Sequence, residues 1–262
     1  MHRAIVFTSG KGGVGKSTLT LSVGRALAEM GRTVALMDTD IGLNNLDVLM
    51  NVEQSVVYDL VDVVNNRCRL SQALVADKAD SRLVLLPSAH SYNECFADGQ
   101  SLRAIVARLK ASFEFVLIDC PAGVEYGFHR AVAAADEAIV VTSAHLSALK
   151  DASKVAALVK SYRLPVSLVL NRVRGDMLVG GDSLTVGEIA DAINMNVIGV
   201  VPEDDGVNMI SSGGDMRRHS EGKKAVGMLA RNIISATSEL YDVTKKYRGF
   251  WGGIKRRLKE RL

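Results

Sequence analysis

Gly10-Lys11-Gly12-Gly13-Val14-Gly15-Lys16-Ser17-Thr18 sits between an apolar run at residues 4–8 and a stretch, residues 16–30, whose apolar side chains recur at helical spacing. A buried strand, a glycine-rich turn and an amphipathic helix in that order leave backbone amides pointing into the turn at the positive end of the helix, which suits an anion. The spacing fits G-x-x-x-x-G-K-[ST], the loop that cradles the phosphates of a nucleoside triphosphate. Gly10, Gly12, Gly13 and Gly15, with Val14 between them, let the amides turn inward. Lys16 is placed to reach the β and γ phosphates, Ser17 to put its hydroxyl on Mg²⁺, and Thr18 to support the α phosphate. The ligands expected are ATP and Mg²⁺, and the reaction expected is hydrolysis. A turn that is only structural needs neither the lysine nor the serine in this register.

Outward from the loop, short runs rich in Val, Ile, Leu and Phe recur at residues 33–38, 83–86, 115–119, 138–142, 166–171 and 197–201. Helical spacing fills the stretches between them, at 55–64, 101–112, 146–162, 186–193 and 222–247. Continuous apolar strands alternating with helices predict an α/β fold: a mostly parallel, twisted sheet flanked by helices on both faces, of the P-loop type. Residues 176–183, with Gly180 and Gly181, read as a mobile surface loop. One domain, residues 1–244, is expected, followed by a distinct tail, residues 245–262.

In such a sheet the carboxyl ends of the strands face the ligand crevice. Asp38 and Asp40 end the second strand, and Asp119 ends the run Phe115-Val116-Leu117-Ile118. Asp40 is the candidate for orienting the attacking water, Asp38 for helping to organise the metal shell, and Asp119 for holding Mg²⁺ through water. Cys120-Pro121-Ala122-Gly123 then reads as a turn that responds to the γ phosphate. Asn171 closes another strand and is placed to read the adenine edge; the turn from Pro202 through Asp204 is placed to close over the base. Plain capping and turn roles compete with these for the acids and for Asn171.

Charged residues make up 23% and hydrophobic residues 48% of the chain, a balance that excludes a disordered or fibrous protein. Cys68, Cys95 and Cys120 are odd in number and far apart, so no disulfide framework and no paired-cysteine metal site is written, and a reducing cytoplasm is expected. His2, His90, His129, His145 and His219 form no ligand cluster. No apolar run reaches the ~20 residues that span a bilayer, and Met1 to Phe7 enters a strand pattern, so neither export nor a membrane span is expected.

The net charge of +3 is unevenly placed: residues 245–262 carry +7 and residues 1–244 carry −4. Such asymmetry implies an anionic partner for the tail, while the acidic body offers no face for nucleic acid. Phe250, Trp251, Ile254, Leu258 and Leu262 fall within about 120° of arc on a helix, and Lys255, Arg256 and Arg257 lie in the remainder. The tail therefore reads as a basic amphipathic helix for anionic membrane lipid, with docking on the protein's own body and nucleic-acid binding as competing readings. Gly252 and Gly253 weaken that helix by ~1 kcal/mol each, so it is expected to form on its target.

Lys11, at the second position of the loop, comes too early to duplicate Lys16. The Lys11-Gly12-Gly13-Val14-Gly15-Lys16 pattern resembles the deviant Walker A ATPases, in which two subunits sandwich two ATP molecules and this lysine reaches the partner's phosphates. Together with Asp40-Ile41-Gly42-Leu43, Asn45-Leu46-Asp47, Pro121-Ala122-Gly123, Gly175-Asp176-Met177-Leu178, Gly199-Val200-Val201-Pro202-Glu203-Asp204 and the basic end, it resembles the MinD family of septum-site-determining ATPases. That resemblance implies ATP-driven homodimerisation, peripheral attachment to the inner face of the cell membrane, recruitment of a MinC-like division inhibitor, and release on hydrolysis stimulated by a MinE-like or other topological factor. Asn44 stands where the family usually has arginine, Ala144-His145-Leu146 replaces a common Asn-Pro-Glu, and Ser153 replaces an acid on the helix where family partners dock. A flagellar-number regulator of the same superfamily and a non-hydrolysing ATP-bound scaffold are the alternatives.

Overall fold

In a computed structural model, which describes residues 2–42, 45–89, 99–205 and 220–248, strand β1 (Arg3–Thr8) is inserted between β5 (Phe115–Asp119) and β6 (Glu137–Thr142). On the β5 side follow β2 (Val34–Asp38) and β4 (Leu83–Leu86); on the β6 side follow β7 (Val166–Val173) and β8 (Val197–Pro202). These strands are all parallel, and only the short β3 (Val75–Ala76) pairs antiparallel, along β4 at the sheet's edge.

Strand side chains alternate between faces, which divides the core in two. Ala4 and Val6 face one cluster with Leu102 and Ile105 of α5 (Gly99–Lys110), Phe128 of α6 (Tyr126–Ala134) and Val155 of α7 (Leu146–Ser161). Ile5 and Phe7 face the other, with Leu19 and Leu27 of α1 (Lys16–Glu29), Leu46 of α2 (Asn45–Met50) and Leu229 of α10 (Glu221–Ser235). With helices on both sides, β1, β2 and β5 bury nearly every residue, which is why they read as uninterrupted apolar runs.

Three expectations are corrected. The helix expected at 55–64 is only α3 (Leu60–Val64), because Asp59 and Asp62 form a reciprocal capping box that starts it there; a 3-10 turn, Glu53–Ser55, precedes it. The loop expected at 176–183 contains α8 (Gly175–Gly180), whose start is held by the Arg174–Asp176 ion pair at 2.5 Å. A Cβ at Gly175 would stand 2.1 Å from the Val243 carbonyl oxygen, so glycine admits the C-terminal segment that covers this helix. The helix expected at 222–247 stops at Ser235, where Asn232 donates to the Ile198 and Glu239 carbonyls and accepts from Thr237. The chain then returns across α8 to a 3-10 turn, Lys245–Tyr247, with Tyr247 buried, so packing continues three residues into the segment read as tail. The membrane candidates Phe250, Trp251, Ile254, Lys255, Arg256, Arg257, Leu258 and Leu262, and the predicted C-terminal helix, lie outside the described residues. Among the described residues, no helix is long and apolar enough to cross a membrane.

Ala236 ends α10 at φ 53, in the left-handed region where a Cβ is disfavoured. Ala236→Gly should therefore raise stability by about 1 kcal/mol and the melting temperature by about 2–4 °C. An unchanged or lower melting temperature would show that the flanking Asn232 bonds, not the backbone, set the cost.

Candidate active site

The loops after β1, β2 and β5 converge because these strands are neighbours, bringing Ser9, residues 12–18, Asp40 and Ala122 around a cleft of about 480 Å³. Gly15 is the N-cap of α1 at φ 85 and supplies no capping side chain, and the first turn of α1 holds no acid. The positive end of the helix is thus left for an anion. Gly13 is also left-handed at φ 80, and the space where a Cβ would stand at Gly12 or Gly13 is open. This cradle and its donors fit a phosphate chain.

The Lys16 ammonium is buried and lies 2.6 Å from Asp119 Oδ1 and 3.2 Å from Ser17 Oγ. Burial pulls its pKa down, but the charge and hydrogen bond of Asp119, with smaller contributions from Cys120 and Asp38, raise it on balance. Lys16 is therefore a cation. Asp119 is fully buried, and its second oxygen, Oδ2, has no hydrogen-bond partner among the described residues. A buried carboxylate oxygen with nothing to bond is costly unless something completes it, and together with the Ser17 hydroxyl it fits an octahedral Mg²⁺ site finished by waters and phosphate.

Asp38 spends both oxygens on backbone. Oδ1 accepts from the Asp40 amide at 2.9 Å, and Oδ2 accepts from the Asn45 and Leu46 amides at 3.2 Å. Burial, reinforced by the nearby Asp119 charge, pushes Asp38 up to about 7. Its visible work is to set the course of the chain from β2 into α2 and so to fix Asp40. Asp40 itself has no side-chain partner among the described residues; burial raises its pKa, Asp119 adds to this and Lys16 opposes it. A carboxylate made more basic at the wall of a phosphate cleft suits a group that takes hold of a water proton.

Lys11 is exposed, and among the described residues only its backbone carbonyl is engaged, by Ser9 Oγ at 3.1 Å. Its side chain is free to act outside its own loop. Asn171 is buried at the back of the loop, with Nδ2 donating to the Val14 carbonyl at 2.8 Å and Oδ1 without a partner among the described residues. Pro202 ends β8, and Asp204 accepts from the Gly222 amide at the start of α10. Cys120 is buried under the site, and burial raises its thiol to about 12, so it is inert.

Sequence reasoning missed two side chains of this site. Thr39 grips the Asp119 carbonyl twice, by its amide at 3.0 Å and by Oγ1 at 2.7 Å, and so ties the end of β2 to the end of β5. The signal was present, since Thr39 lies between the two acids already singled out. The second is Arg172, whose contact with the loop depends on a strand irregularity that no spacing rule reveals.

Fold and site together define a P-loop ATPase with an additional lysine at the second position of the loop. Residues 5–215 match the family described as CobQ/CobB/MinD/ParA nucleotide binding domain. The chain is 41% identical over 261 residues to the septum site-determining protein MinD of Bacillus subtilis, covering 97% of each. It superposes with a TM-score of 0.84 and 35% identity on a chain of the MinC:MinD cell division protein complex of Aquifex aeolicus, covering 91% of this chain and 98% of that one. With MinD of Pyrococcus horikoshii, solved with Mg-ADP, the TM-score is 0.80 and the identity 30%, covering 89% and 96%. The chain belongs to the MinD family of septum-site-determining ATPases, and its reaction is ATP hydrolysis with Mg²⁺.

Proposed function

We propose that this ATPase is a membrane switch for placing the division site. Two copies join around ATP, attach together to anionic lipid on the inner face of the cell membrane, recruit a MinC-like inhibitor, and leave as free cytoplasmic monomers after hydrolysis. The observation that carries the reading is the division of labour between two lysines of one loop. Lys16 is buried on its own side of the site, while Lys11 is exposed beside the same cleft, its side chain without a partner among the described residues. A second copy facing this cleft receives Lys11 against its γ phosphate, where positive charge counts most during phosphoryl transfer.

When bound, Mg²⁺ would neutralise charge on the β and γ phosphates, held by Ser17 and, through water, by Asp119, with Asp38 close behind. The chain's own residues do the rest. Phosphate draws Lys16 off Asp119, which leaves Oδ1 to the longer Thr20 Oγ1 contact at 3.4 Å and the carboxylate open to the metal shell, and Asp40 orients the attacking water and accepts its proton. Asn171 Oδ1, buried and unpartnered, is the acceptor available for an adenine amino group, with Pro202 and Asp204 at the neighbouring strand end.

Membrane attachment follows from magnitudes. Partial burial of five apolar tail side chains supplies on the order of 5–10 kcal/mol and each basic residue ~1 kcal/mol near anionic lipid. Ordering about twelve residues costs on the order of 12–18 kcal/mol. One tail is near balance; two tails on a dimer bind by avidity. The likeness to a chain of the MinC:MinD complex supports an inhibitor partner, and a MinE-like or other topological activator would time release.

Vesicle co-sedimentation tests the reading. The full chain should sediment with anionic vesicles in ATP and stay in solution in ADP, and truncation before Phe250 should abolish the ATP-dependent fraction. Sedimentation of the truncated chain would show that the tail is not the anchor.

A further inference from the structure

Between Leu170 and Val173, three steps along β7 are matched by only two along β8, from Val200 to Pro202. The additional residue forms a β-bulge, and Arg172 in it adopts φ 57, a left-handed conformation at a position where glycine would be unstrained. The consequence is directional. In a regular strand Asn171 and Arg172 would point to opposite faces of the sheet. Here both reach the phosphate loop: Asn171 Nδ2 donates to the Val14 carbonyl at 2.8 Å, and Arg172 Nη1 donates to the Gly13 carbonyl at 3.2 Å. Glu203, at the end of β8, steadies the guanidinium from the other side at 3.8 Å. The fit behind the loop is close, since a Cβ at Gly15 would stand 2.6 Å from Asn171 Nδ2.

We infer that the β7 bulge is a clamp that preorganises the phosphate loop, with Asn171 and Arg172 as its positioning residues. A peptide unit's carbonyl and amide point in opposite directions. Holding the Gly13 and Val14 carbonyls outward therefore turns the amides of Val14 and Gly15 toward the cleft before any nucleotide arrives. The loop then meets phosphate already folded, and the ordering cost is met during folding of the sheet and not at binding. The strained Arg172 backbone is what lets two consecutive strand residues act on one loop.

The test is Arg172→Gly in the full chain, with Asn171→Ala as a second variant. Arg172→Gly relaxes the backbone while removing the donor, so its melting temperature should be equal or higher while ADP affinity, measured by calorimetry, falls about threefold to tenfold. In the nucleotide-free protein, amide hydrogen exchange across residues 10–18 should speed up in both variants. ADP makes no demand on Lys11, dimerisation or lipid, so the outcome is independent of the membrane reading. Unchanged ADP affinity in Arg172→Gly overturns the clamp. So does weakened affinity with unaltered exchange in the empty loop, because that pattern means the guanidinium acts on phosphate by charge alone.

Discussion

Lys16→Ala should abolish nucleotide binding, with ATP and ADP affinity falling by at least about a hundredfold. The ammonium lines the cleft and is buried against Asp119, and it makes charge-assisted bonds, each worth roughly 1.5–3 kcal/mol. Its removal also leaves Asp38, Asp40 and Asp119 as an uncompensated acidic group directly below the place for phosphate, so repulsion adds to the lost attraction. Breaking a buried ion pair by deleting one partner costs about 3 kcal/mol or more of stability. Circular dichroism must therefore show a folded variant before calorimetry is read, and Lys16→Met, which keeps the packed stem, provides a second chain for the same titration. Tight ATP binding by a folded variant would remove Lys16 from the phosphate site.

Asp40→Ala should separate binding from chemistry. Asp40 borders the cleft but bonds to no part of the loop, so ATP affinity and ATP-dependent dimerisation, followed by light scattering, should stay close to those of the unaltered chain. Turnover should fall on the order of a hundredfold to ten-thousandfold, the range for loss of a group that handles the proton of the attacking nucleophile. Asp38 cannot take over, because its oxygens are held by three backbone amides. Normal turnover by Asp40→Ala would leave the water to another group and take Asp40 out of the mechanism.

These two results rest on features of different legibility. The role of Lys16 follows from eight consecutive residues, and the structure adds only its resting partner, Asp119. Asp38 and Asp40 look equivalent as two acids one residue apart at a strand end. Backbone amides arriving from α2 distinguish them, occupying one carboxylate and leaving the other free. The same holds for secondary structure. The strand at 83–86 and the helix at 186–193 have the observed limits because their own turn and capping residues end them. The end of α10 was unreadable, since neither glycine nor proline marks it and one of the two carbonyls that Asn232 reaches there, Ile198, lies 34 residues away.

Local chemistry determined by itself that this chain is an α/β protein with a phosphate loop, because glycine torsions, helix polarity and strand hydrophobicity act between residues near in sequence. Tertiary structure alone decided which acid is free, where α10 ends, and that Asn171 and Arg172 both grip the loop. Each of these depends on a hydrogen-bonding group, or a strand register, contributed by another element, from seven residues away for the Asn45 amide at Asp38 to 159 for the Gly13 carbonyl at Arg172. Linear spacing carries no information about which of those groups will already be engaged.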